Sequence, residues 1–152
     1  MRKAIKIIYI IVCLVLFIFC VNFGQKIYKN KIGRDCYKYL KDSKIYFNNY
    51  CINKKNEDFI NGVKAYASFA TLYFESNFSQ YTSYFINSRG SLYEIIIYNY
   101  TDKNNSEYIS PEILNLVIEN ISKLEKDIED QDAAAEISDV LNEYLFSYPH
   151  NK

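Results

Sequence analysis

Positions 7–21 are an unbroken run of apolar side chains, and Arg2, Lys3 and Lys6 stand in front of it. A helix rises about 1.5 Å per residue, and crossing a hydrocarbon layer about 30 Å thick takes about 20 mostly apolar residues. Residues 5–23 just meet that length, with Lys6 able to snorkel outward and Asn22 at the far edge. A buried core helix of this character seldom sits at the start of a chain behind three cations. Residues 1–24 are therefore expected to form a transmembrane signal anchor. A cleaved secretory signal shares the charged start, but its cleavage site needs small residues where Phe17, Phe19 and Phe23 crowd the sequence. Acylation at Cys20 would need a small residue in place of Phe19.

Orientation is less directly constrained. Lys26, Lys29, Lys31, Arg34, Lys38 and Lys41 come after the run, and the positive-inside rule applied to them would put the domain in the cytoplasm. A signal anchor keeps its own basic start inside, so the expected arrangement is a single-pass protein of the cell membrane with an extracytoplasmic domain. A membrane adaptor facing the cytoplasm is the alternative.

The remainder of the chain, beyond the anchor, is long enough for one domain and not two. The expected organisation is a basic juxtamembrane stem at 25–34, a helical bundle at 35–148 and a disordered tail at 149–152. Sixteen Tyr and ten Phe against four Gly and no Trp match an AT-rich coding bias, so the tyrosines are not read as a stacking platform. The formal charge of zero hides a dipole: residues 1–56 carry +10 and residues 57–152 carry −10. Lys26, Lys29, Lys31, Arg34, Lys38, Lys41 and Lys44 are the candidate contacts to a membrane surface, since cations beside a bilayer gain about 1 kcal/mol each from anionic headgroups. Nucleic acid is not an expected partner, because no recognition motif accompanies the cations and the rest of the body is acidic.

Periodicity predicts an all-α fold: the transmembrane helix, then a small antiparallel bundle of four to five helices. Over residues 35–51, Cys36, Leu40, Phe47 and Cys51 share a helical face with Ser43, after a joint near Gly33. Asn53-Lys54-Lys55-Asn56 is the expected turn. Phe59, Val63, Tyr66, Ala70 and Tyr73, flanked by Ile60, Ala67 and Phe74, predict a second helix and the most buried one. Residues 79–100 are harder to assign, because Leu92 to Tyr98 favour strand while Tyr81, Phe85, Ser88, Leu92, Ile95 and Asn99 keep helical spacing. A lone strand would lack a partner, so helix is preferred. Ser110-Pro111-Glu112 marks a helix start at Pro111. Leu114, Val117, Ile121, Leu124 and Ile128 alternate steps of three and four; the seam is too short for an independent coiled coil and is expected to pack within the domain. A fresh helix capped by Asp132 would carry Ile137, Leu141 and Tyr144.

Chemistry is sparse. His150 is the single histidine and lies in the tail, and the four glycines form no phosphate loop. Asp127, Glu129, Asp130, Asp132 and Glu136 could attract a hard cation, but they lack the spacing of an EF-hand loop and read as a solvated helix junction. Neither a catalytic residue, a metal nor a cofactor is expected. Cys36 and Cys51 are a possible disulfide only if the chain turns between them, since 15 residues of straight helix hold them about 22 Å apart. Four Asn-x-Ser/Thr triplets, starting at Asn77, Asn99, Asn104 and Asn120, are attributed to chance in an Asn-rich chain. The expected function is a non-enzymatic, membrane-anchored interaction or accessory protein that meets membrane lipid and another protein, with oligomeric state left open. A ligand-sensing bundle with a pocket lined by Tyr66, Tyr73, Tyr81 and Tyr84 is the alternative.

Overall fold

A computed structural model describes residues 2–76, 81–101 and 108–147, with the side chains at 2–10, 29 and 101 left aside. All regular structure among them is helical: α1 (Arg2–Asn53), α2 (Asn56–Glu75), α3 (Thr82–Thr101), α4 (Pro111–Leu124) and α5 (Gln131–Ser147). The chain forms two compact units, Met1–Arg34 and Asp35–Lys152, and α1 contributes to both. Helical backbone in α1 continues through Gly33. In the first unit, α1 provides the one helix among the described residues that is long and apolar enough to cross a membrane.

The second unit is the helical bundle. Within it, α1 buries Cys36, Leu40, Ser43, Phe47 and Tyr50 completely. Those positions advance by four, three, four and three, the spacing that keeps one stripe of a helix facing its neighbours. The stripe ends on Tyr50, with the expected Cys51 only half-buried. Lys54 then takes a left-handed φ of 55°, its N–H closing on the Tyr50 carbonyl at 2.8 Å, and two non-helical residues turn the chain into α2. Phe47 and Tyr50 both pack on Phe59, and Phe47 also faces Gly62, so later residues of α1 meet earlier residues of α2 and the two helices run antiparallel.

Helix α2 is the most buried element of the bundle, with nine of its 20 residues inside. Against expectation Phe74 is exposed; Phe69 enters the core instead, its ring tilted against Tyr66 and Tyr73 and edge-on to Phe85. The strand-favouring stretch lies inside α3, whose Phe85, Ser88, Leu92 and Ile95 are buried. Tertiary packing overrides the β preference here, since α2 on one side and α5 on the other offer a helix two apolar neighbours. Tyr66 and Ser88 share a buried hydrogen bond of 2.9 Å across α2 and α3.

Ser110 caps α4 as expected, its hydroxyl accepting from the Ile113 N–H at 3.4 Å, and Leu114, Val117, Ile121 and Leu124 are fully buried. The cap of α5 differs from expectation. Asp130, not Asp132, accepts the Ala133 N–H at 2.9 Å, because the helix begins at Gln131. The segment before α4 is locked by four helices: the Tyr108 ring stacks on Phe59 at 5.1 Å, its N–H donates to the Tyr50 hydroxyl at 2.7 Å, and its carbonyl accepts from Asn99 and Tyr144.

Candidate functional site

The candidate surface cations fall into separate groups. Lys26, Lys31, Arg34, Lys38 and Lys41 are exposed, while the Lys29 side chain lies outside the described residues. Lys44 is placed differently from the other cations. Its ammonium pairs with Glu125, and both side chains are mostly covered, so it ties α1 to the end of α4 rather than facing outward. The sequence carries no sign of this partner, 81 residues away.

Cys36 and Cys51 lie on the same helix with no turn between them, which removes the possible intrachain disulfide; both are free thiols, like Cys13 and Cys20. Burial, with Asp35 adding to it, pushes the Cys36 thiol up to about 11. Burial likewise raises Cys51, against the pull of Lys54. A thiol raised on folding favours the unfolded chain once that chain ionises. Stability held by neutral Cys36 is therefore present below its ordinary value of 9.0 and is lost as pH rises from there to about 11. Tyr73, raised to about 12 chiefly by burial, extends the loss upward. Urea midpoints measured from pH 7 upward are expected to fall above about pH 9, and Cys36 is expected to resist maleimide in the native protein while reacting after denaturation.

Three carboxylates of the acidic cluster have partners within the fold. Asp127 accepts from the Glu129 N–H at 3.0 Å, Asp130 caps α5, and Glu136 meets Lys123 at 3.4 Å. Among the described residues no group of three or more His, Cys, Asp or Glu is arranged to hold a metal ion. Of the Asn-x-Ser/Thr triplets, those at Asn77 and Asn104 lie outside the described residues, as does His150. Asn99 and Asn120 each commit the side-chain nitrogen to backbone carbonyls, Asn99 to Ile95 and Tyr108 and Asn120 to Leu116.

The tyrosines expected to line a ligand pocket do not do so together. Tyr66 and Tyr73 are core residues, and burial raises the Tyr66 hydroxyl strongly. An open groove of about 530 Å³ instead runs along α2 over Ala67, Ser68 and Thr71, walled by Tyr39, Arg89 and Tyr93. Lys64 and Glu75 also line it. The Arg89 guanidinium donates one hydrogen bond there, to the Thr71 hydroxyl at 3.2 Å. Small side chains on α2 create the groove, a feature the apolar periodicity could not reveal. Beside it, α3 turns Ile86, Tyr93, Ile97 and Tyr100 to solvent.

No protein family is matched by the chain, and neither the curated proteins nor the solved structures offer a similar one.

Proposed function

We propose that this chain is a membrane-anchored helical interaction protein, acting by binding and not by catalysis, with its bundle on the extracytoplasmic side. The observation that carries the reading is the exposure of Ile11, Val12, Leu14, Val15, Leu16, Phe17, Ile18, Phe19, Val21 and Phe23, each 41–67% open to solvent. Apolar surface gains about 25 cal/mol per Å² on leaving water, so a contiguous sleeve of this kind calls for lipid around it. The bundle has a buried core of its own. Its outward α3 residues then supply an apolar surface for a protein partner, and the exposed Lys and Arg of the stem favour anionic headgroups. A ligand-sensing role is the second reading, motivated by the open groove along α2; it would appear as saturable thermal stabilisation.

Alkaline carbonate extraction followed by labelling tests the leading reading. The chain is expected to stay in the membrane pellet. Asn115 is exposed on α4, and an Asn115→Cys variant is expected to react with an impermeant maleimide in intact cells beyond the wild-type background. Release by carbonate removes the anchor. Labelling only after lysis moves the bundle to the cytoplasmic side.

A further inference from the structure

Helix α3 carries two stripes. Phe85, Ser88, Leu92 and Ile95 face the core, whereas Ile86, Gly90, Tyr93, Ile97 and Tyr100 form a second line at steps of four, three, four and three. The large members of that line are 37%, 43%, 59% and 84% exposed, in chain order. In heptad terms Gly90 and Ile97 occupy a, and Ile86, Tyr93 and Tyr100 occupy d. The buried residues, Ser91 among them, then fall at b, c and f, on the opposite side of the helix. Gly90 is not needed for packing inside the chain, since a Cβ placed there would meet no heavy atom within 4 Å. A helix-interior glycine is less favourable than alanine, yet at an a position it lets a second backbone come close.

Charge chooses the occupant. Arg89 stands at g and Glu94 at e, and neither has an ion-pair partner among the described residues. When two helices pack parallel and in register, each g side chain meets the e side chain five residues further along its partner, and these pairs set orientation. A second copy of α3 so placed brings Arg89 to Glu94 of the other chain, and the two-fold axis repeats the pair in reverse. An antiparallel copy sets g against g and e against e, with no such match.

We propose that the outward face of α3 binds a second copy of this chain, parallel and in register, through the line from Ile86 to Tyr100 and two reciprocal Arg89/Glu94 ion pairs. The inference rests on the interaction reading in taking this face as a binding surface, and it is independent of the anchor. About two heptads is shorter than the three or four that sustain a free coiled coil. Here α3 is already folded by its bundle, so pairing does not bear the entropic cost of forming the helix. Confinement of two chains to one membrane would raise their effective concentration further.

Sedimentation equilibrium of the full chain in detergent tests the pairing. The wild type is expected to dimerise; Arg89→Glu and Glu94→Arg are each expected to weaken the dimer by about tenfold or more, since each turns two attractive pairs repulsive. The double variant is expected to restore association to within about twofold of wild type. Because Arg89 also bonds Thr71, Glu94→Arg carries the test if Arg89→Glu does not fold. Register is read by Ile86→Cys in a chain with Cys13, Cys20 and Cys51 changed to Ser: a short bis-maleimide is expected to link Ile86→Cys chains and to leave Asn115→Cys chains unlinked. A wild type that stays monomeric overturns the proposal, as do single charge variants that associate normally or equal linking at both positions. Carbonate extraction reads only the anchor, so failure of either reading is seen without the other.

Discussion

Phe59→Ala is expected to lower the stability of the bundle by about 3 to 5 kcal/mol, the range for truncating a fully buried phenylalanine. Phe59 is wholly inaccessible and is the hub of an aromatic cluster, with ring centroids 5.8 Å from Phe47, 5.2 Å from Tyr50 and 5.1 Å from Tyr108. Truncation removes the transfer energy of the ring and leaves a cavity between three elements that cannot close on it at once. Tyr108 loses the surface on which it stacks, although its N–H keeps the Tyr50 hydroxyl. A domain's total stability is about 5 to 15 kcal/mol, so this one change is expected to leave a marginal fold. Phe74→Ala serves as the control, since Phe74 lies on the same helix but is 59% exposed, and its loss is expected to cost no more than about 0.5 kcal/mol. Urea denaturation of both variants measures the contrast. Equal costs would mean that Phe59 is not the hub of the core.

Gly62 and Gly90, each inside a bundle helix, predict changes of opposite sign. A Cβ on Gly62 would stand 2.5 Å from two carbons of the Phe47 ring, and that ring is itself held by Phe59. Overpacking costs about 1 to 3 kcal/mol, occasionally more. Gly62→Ala is expected to destabilise the bundle although alanine is the better helix former, and Gly62→Leu, with three more carbons to place, is expected to prevent folding. At Gly90 the space is open, and Gly90→Ala is expected to stabilise the monomer by about 1 kcal/mol through helix propensity alone. Thermal unfolding at concentrations where the chain is dissociated reads both. Stabilisation by Gly62→Ala would refute the close contact between α1 and α2.

These outcomes separate positions that look alike in the sequence. Phe59 and Phe74 both belong to the apolar pattern of α2, and nothing local says that the turn at Lys54 and Lys55 returns the chain to bury the first while the second lies beyond the covered surface. The same limit applies to Lys44, which resembles Lys38 and Lys41 until Glu125 arrives from the end of α4. Tyr108 fits no period because it lies outside any helix, yet four helices converge on it. The groove depended on Ala67, Ser68 and Thr71 being small beneath neighbours from two other helices.

The amino-acid sequence by itself determined the features whose causes are local. It specified an all-helical chain, an apolar N-terminal helix long enough to span a bilayer, the turn around Lys54, the Ser110-Pro111 start of α4 and the seam from Leu114 to Leu124. Capping, propensity and hydrophobic period act within a few residues, so they can be read along the chain. The tertiary structure alone decided which of several apolar faces became the core, that Lys44 meets Glu125, and that α3 keeps a second apolar line in solvent beside Arg89 and Glu94. Those outcomes depend on contacts between residues far apart in the chain, where burial and charge pairing are settled only when the helices meet.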